Sequence, residues 1–316
     1  GEPYWKAFLA GLLNTLRAAL AGIALTTAMG ILLGIGRLSR NFLVRTLCAG
    51  YVEFFRNIPV LLQMLVWYLV LTDWLPPAGE ALEPLPGLFL SKNGLSFPLP
   101  LWDAGHAATL AGLVAGLLAA LLYRAFARAH FARTGRPRAT AWPMAGLMLM
   151  ATLTGWALGG LPAGLDMPEA GELNIAGGGA VTPEFLAVTI SLTVYTAAFV
   201  AEVVRAGIQA VPHGQVEAAG ALGLARAQAL RLVLLPQALR VIIPPMTNQY
   251  LNLTKNSSLA VAVGYPDLVS ISNTTLNQTG RAVECIVVIM AVYLVLSLAT
   301  AALMNWYNAY SAIREK

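Results

Sequence analysis

"VEAAGALGLARAQALRLVLLPQAL", residues 216–239, opens as a run of small residues with scattered arginines and closes as an apolar helix. Pro212, His213 and Gly214 break the apolar run before it, so a new short helix is expected to begin there. Ala218, Ala219, Gly220, Ala221 and Gly223 carry almost no side-chain volume, which lets another protein approach the backbone closely. Glu217, near the N-terminal end, favours the helix dipole and can accept hydrogen bonds from a partner or a neighbouring arginine. On composition alone the segment also reads as an amphipathic connector lying on a lipid surface.

The surroundings settle the class. Apolar residues make up 58% of the chain and charged residues only 11%, with a mean hydropathy of +0.68, far from a soluble domain. Seven apolar runs are long enough to cross a hydrocarbon core about 30 Å thick, which takes roughly 20 helical residues. They lie at about 12–36, 50–72, 104–123, 142–161, 184–206, 236–254 and 283–306. Continuous rather than alternating hydrophobicity argues for helices over a barrel, so the expected fold is all-α, a polytopic transmembrane helical bundle.

Arginines orient the bundle. Arg37, Arg40 and Arg45 follow the first run, Arg124, Arg128, Arg133, Arg136 and Arg138 the third, and Arg226 and Arg231 the fifth, which places those loops in the cytoplasm. Loops at about 73–103 and 162–183 carry mostly acids and face outward. The net charge of +5 then needs no nucleic acid to explain it. For Arg124 to Arg138 the leading reading is this orientation signal, with contact to anionic lipid second. No cleavable signal peptide is legible, because Asn14 and Arg17 interrupt a first run that is also too long for one. No metal-ligand cluster, phosphate-binding G-x-x-x-x-G-K-[ST] loop, G-x-S-x-G elbow or H-E-x-x-H pair is present.

Polar residues inside the spans mark a candidate path, since each must face protein or water. In the second span Glu53 and Arg56 form an i, i+3 pair near the cytoplasm, Pro59 disturbs the helix, and Gln63 lies deeper. The fifth span offers Thr193, Tyr195 and Thr196 near mid-depth, the threonines also able to bond their own helix. Below them Glu202 and Arg205 are expected to form a salt bridge that locks an inner gate or braces the loop. In the sixth span Pro244 and Pro245 are expected to break the helix near its centre, with Asn248, Gln249 and Asn252 lining the pathway and Lys255 at the outward end. Uncharged amides can hold both ends of a zwitterion.

The spacing Glu217-Ala218-Ala219, three residues, Gly223, nine residues, Val233-Leu234-Leu235-Pro236 resembles the EAA loop of permease subunits in bacterial binding-protein-dependent ABC importers, Val233 standing where isoleucine is usual. "YVEFFRNIPVLLQ" (51–63), "SLTVYTAAFVAEVVRAGI" (191–208), "LPQALRVIIPPMTNQYLNLTKNSSLA" (235–260), "NQTG" (277–280) and "LLNTLRAAL" (12–20) are similar to the polar-amino-acid permeases. The longer form with extra residues after the second span resembles the general L-amino-acid permeases of the Aap/Bzt type.

That resemblance implies a type I ABC importer permease fold with a five-span core, its first part at 1–72 and its second at 184–316. The stretch 73–183 would be an insertion with an extra helical pair, Gly112 with Gly116 and Gly155 with Gly159 allowing the pair to pack closely. The EAA loop at 212–236 would carry a coupling helix at 213–226, with Glu217, Ala218, Ala219, Gly220, Gly223 and Leu224 meeting an ATPase subunit. Because the sequence begins with Gly1 rather than Met, a further upstream span is expected. The implied partners are a second permease subunit, a related chain, together with two ATPase subunits and a periplasmic solute-binding protein. No cofactor is expected on this chain; ATP and magnesium belong to the partner ATPase. The implied cargo is polar L-amino acids, acidic and amide types, moved inward by alternating access. An ion-coupled secondary transporter or channel without a motor, and a non-transporting scaffold, are the competing classes.

Overall fold

The computed structural model describes residues 4–101, 103–135, 138–161, 163–171 and 174–311. Arg136, read above as part of the orientation signal, lies outside them. Eleven α-helices occur among the described residues: α1 Tyr4–Arg37, α2 Phe42–Arg56, α3 Val60–Leu69, α4 Ala104–Thr134, α5 Ala141–Leu158, α6 Pro183–Gln209, α7 His213–Ala221, α8 Arg226–Ala229, α9 Leu235–Asn256, α10 Leu268–Thr279 and α11 Ala282–Ser311. Six are long and apolar enough to cross a membrane, or seven if the bent pair α2 and α3 counts as one span. The contacts divide the chain into two units, one of residues 1–77, 91–95 and 181–316 and the other of 78–90 and 96–180.

In the first unit α6 is the central helix, packed against α1, α2, α3 and α9. Of its most apolar stretch 67% is buried within the chain, against none of the corresponding stretch of α11. Lipid is as apolar as leucine, so close packing rather than water exclusion holds such helices together. Small residues supply that closeness. On α1, Gly34 lies so near α6 that an added Cβ would meet Val204 Cβ at 2.8 Å, and Gly30 touches Val200 in the same way. Met64, Val188, Leu192 and Leu253 fill the resulting core.

The second span departs from the expected single helix over 50–72. Asn41 starts α2 earlier, its side chain accepting from Leu43 N at 2.9 Å, and α2 meets α3 at a bend of 101°. Pro59 cannot donate the hydrogen bond that would continue α2. Gln63 holds the corner instead, its Nε2 donating to Phe55 O at 3.0 Å and Ile58 O at 2.9 Å.

A second correction concerns Pro244 and Pro245, which sit inside a continuous α9 and do not break it. Each ring removes a donor and crowds the carbonyl four residues back, but the fixed φ is helical, and Ile242, Ile243 and Met246 are buried and hold the turn in place. Irregularity lies at the two ends, a π-helical turn over Leu230–Leu234 and a 3₁₀ segment over Ser257–Val263. Beyond that segment the turn before α10 is pinned to α1: Asn14 Nδ2 donates to Pro266 O at 2.9 Å, Tyr265 Oη to Asn14 O at 3.2 Å, and Leu268 N to Thr15 Oγ1 at 3.1 Å.

The second unit is built on the antiparallel contact of α4 with α5. Its seam is the expected glycine pairing, Gly112 against Ala151 and Gly155, and Gly159 against Gly105. Asp103 and His106 form a capping box at the start of α4. The loop residues add short antiparallel pairs, Leu82–Leu85 with Leu88–Ser91, Leu99–Pro100 with Leu165–Asp166, and Glu169–Ala170 with Ile175–Ala176.

Candidate functional site

The loop that follows α6 has a well-defined end. Pro212, with φ −59° and ψ 137°, leads into α7, which stops at Ala221 rather than running on to residue 226. Gly223 adopts φ +76°, and its N–H bonds Gly220 O at 2.9 Å while Leu224 N bonds Ala219 O at 3.1 Å. These two bonds make a Schellman motif, which needs a residue free of a Cβ penalty at the left-handed position. Ala219 is buried and Leu224 half-buried, whereas Glu217, Ala218, Gly220 and Gly223 are exposed. No atom lies within 4 Å of a Cβ added at Gly220 or Gly223. Leu222, 82% exposed, projects beside them. The loop therefore presents bare backbone and one large apolar side chain, a surface that a partner groove can accept.

A second locus is a cavity of about 340 Å³ in the first unit, lined by Tyr195, Thr196 and Phe199 of α6 and Gln249, Asn252 and Asn256 of α9. Tyr195, Thr196, Gln249 and Asn252 are among the residues singled out in the sequence, and the structure brings them together. Thr196 is 3% exposed, and its Oγ, like that of Thr193, has no hydrogen-bond partner, so neither threonine bonds its own helix. The wall thus offers hydroxyl and amide groups and no charge.

Other pathway residues lie elsewhere. Asn248 is exposed and outside this cavity; the lining face of α9 is 249, 252 and 256, at i, i+3 and i+7. Asn256 and Phe199 were missed, although each is four residues from a named lining residue, Asn252 and Tyr195. Gln63 is consumed by the corner between α2 and α3. Lys255 lines a separate groove with Ser258, Tyr293 and Ser297.

A third locus gathers charge. Glu202 of α6 accepts from Arg37 of α1 and from Arg205 one turn on, and Arg56 of α2 stands 4.0 Å from the same carboxylate. Arg56 also lies over the Phe199 ring, 5.3 Å from its centroid. Glu53 is exposed and, among the described residues, makes no ion pair; the expected Glu53–Arg56 pairing is replaced because the last turn of α2 packs against α6, where Glu202 is nearer. Arg37, read from the sequence only as an orientation signal, is the residue that ties α1 into this cluster.

Spans packed through glycine, an uncharged polar cavity between two of them and an exposed small-residue loop define a polytopic transport subunit. The comparisons give the family. Residues 26–312 match the model of the binding-protein-dependent transport system inner membrane component. The chain is 47% identical over 315 residues to the general L-amino acid transport system permease protein AapQ of Rhizobium johnstonii, covering 100% of this chain and 79% of that protein. It is 40% identical over 349 residues to the glutamate/glutamine/aspartate/asparagine transport system permease protein BztB of Rhodobacter capsulatus, covering 100% and 81%. Among solved structures it is similar to a crystal structure of an amino acid ABC transporter with histidines, with a TM-score of 0.56, 20% identity and coverage of 97% and 95%. This last likeness concerns the fold, that of a type I importer permease.

The chain belongs to the family of binding-protein-dependent transport inner-membrane components. It is the permease subunit of an ABC importer, a multi-pass inner-membrane protein rather than an enzyme, and it works with a separate ATPase and a solute-binding protein.

Proposed function

We propose that this permease carries polar L-amino acids of the acidic and amide types, such as glutamate, glutamine, aspartate and asparagine, from periplasm to cytoplasm by alternating access. The observation that carries this reading is the cavity of Tyr195, Thr196, Gln249, Asn252 and Asn256. Each amide offers a carbonyl to an ammonium and an NH₂ to a carboxylate, and a third amide meets a side-chain carboxamide as well as a carboxylate. Sorting is then left largely to the binding protein. The substrates named for the BztB relative support the same cargo, and the name of the AapQ relative supports L-amino acids in general.

ATP and magnesium bind the partner ATPases, two of them, whose closure pulls on α7 through Glu217, Ala218, Ala219, Gly220, Gly223 and Leu224. α7 leads directly into the turns that start α9, so its movement rocks α9 against α6, whose Glu202 and Arg205 sit at the inner gate with Arg37 and Arg56. A second permease subunit, a related chain, completes the pathway. Residues 1–72 and 184–316 form the translocating core, and 73–183 are an insertion into it.

Uptake of labelled glutamate, glutamine, aspartate, asparagine, arginine and leucine into proteoliposomes, with ATPase, second permease and binding protein present, tests the reading. Preferential uptake of the first four is expected. Equal or greater uptake of leucine and arginine overturns it.

A further inference from the structure

Along α6 Phe199 follows Tyr195 by one turn and precedes Glu202 by another, so it stands between the uncharged cavity and the charged cluster. Its ring meets both. On one side it lines the cavity with Thr196, Gln249 and Asn252 and packs on the Tyr195 ring, 5.0 Å between centroids. On the other it lies under the Arg56 guanidinium, 5.3 Å from its centroid.

The cluster leaves Arg56 free for this contact. Arg37 and Arg205 each take one oxygen of Glu202, and Arg56 comes no nearer to that carboxylate than 4.0 Å, beyond a hydrogen bond. Three cations share one acid, and the third is left to the negative face of an aromatic ring. Arg56 also stands on a fixed base. Tyr51 Oη donates to Val194 O at 2.7 Å, the buried Val52 packs with Ala198 and Ala201, and Gln63 holds Phe55 O at 3.0 Å. The end of α2 is thereby fixed on α6. Phe199 is less constrained, because an aromatic side chain on a helix has two favoured χ1 positions and this one, half-buried, borders the cavity on one side.

We infer that the Phe199 ring is the sill of the inner gate, the surface against which α9 closes the cytoplasmic end of the cavity, and that Arg56 is a positioning residue that holds the ring there. The inference rests on the pathway proposed between α6 and α9. A zwitterion passes an apolar ring only where the gap beside it admits water, and the movement of α9 sets that gap. Arg56 acts through the ring and not on the cargo: it keeps the ring from turning out of the gap, so that passage follows α9 and therefore ATP.

The test is leakage of labelled glutamine or labelled leucine from loaded proteoliposomes holding the assembled transporter, without ATP or binding protein. Two solutes are used because a gate bars any amino acid; a wrong cargo assignment then shows in ATP-driven selectivity and leaves the leak comparison intact. Arg56→Ala is expected to leak about fivefold faster than wild type, the population shift released by losing one half-buried cation–π contact. Phe199→Leu keeps apolar bulk without the π face and should leak to a similar extent, whereas Phe199→Trp, a stronger acceptor, should leak no more than wild type. Arg56→Ala/Phe199→Leu should leak no faster than either single variant, because both changes remove the same contact. Arg45→Ala takes a cation from the Phe42 ring, 6.0 Å away, and should leave leakage unchanged. Wild-type leakage in Arg56→Ala, an additive effect in the double variant, or equal leakage in Arg45→Ala overturns the inference. If Arg56→Ala does not assemble, the two Phe199 variants decide it: equal leakage from Phe199→Leu and Phe199→Trp overturns the latch.

Discussion

Arg37 at the end of α1 donates to the carboxylate of Glu202 on α6, a residue 165 positions away in sequence. Arg205 bonds the other carboxylate oxygen, so one acid joins two helices and faces three cations. Removing the acid strands the cations, whereas removing one cation leaves the acid satisfied. Glu202→Ala is therefore expected to cost about 1–3 kcal/mol. Arg56→Ala, at the looser 4.0 Å contact, is expected to cost less than about 1 kcal/mol. Apparent Tm of the detergent-purified complex checks both, and a larger loss for Arg56→Ala would contradict the ranking.

Gly223 has the left-handed φ of +76° and open space where a Cβ would stand. Gly223→Asn should be tolerated because asparagine visits that region readily, and Gly223→Ala should cost roughly 1 kcal/mol. Gly223→Trp should uncouple, with ATP hydrolysis no longer stimulated by loaded binding protein. Normal uptake by the Trp variant would remove this face of the loop from the coupling surface.

Asn252 lines the cavity yet is exposed, so its replacement disturbs little packing. Asn252→Leu is expected to lower uptake at least tenfold, the scale of one lost polar contact to a charged group, with assembly intact by size-exclusion chromatography. Asn248→Leu, off the cavity, should transport normally. Failed assembly of the Asn252 variant would make that residue structural.

Asp267 caps α10 by accepting from Ser270 N at 2.8 Å, while its second oxygen has no partner and the side chain is buried. Burial pushes its carboxyl up to about 6 from an ordinary 3.8. A raised acid binds more protons folded than unfolded, so stability falls as pH rises from about 4 to about 6 and is flat above. Asp267→Asn keeps a capping oxygen and removes the charging cost. It is expected to stabilise the fold at pH 7.5 by on the order of 1–3 kcal/mol, read as a higher apparent Tm, with a smaller gain at pH 5. A lower Tm at pH 7.5 would show that the carboxylate is held by a group its burial does not reveal.

The spans were legible because bilayer thickness sets one length scale that every run obeys. Pro59 was legible as a disturbance, but the angle at it was not, since 101° depends on α6 and on Gln63 closing the corner. Pro244 and Pro245 misled for the opposite reason: local chemistry says break, and packing of Ile242 and Met246 overrides it. Polar residues of α9 stood out as a group, yet only the fold places 249, 252 and 256, and not Asn248, on the cavity. Arg37 with Glu202 could not be paired from sequence, because either residue has other partners nearer along the chain.

ATP-driven import is tested most directly by uptake into proteoliposomes holding the assembled transporter, with ATP enclosed on the ATPase side or, in parallel, ADP with an imposed proton or sodium gradient. Amino-acid uptake is expected only with ATP and loaded binding protein, abolished by Gly223→Trp. Uptake driven by the ion gradient without ATP, or insensitive to Gly223→Trp, would contradict it.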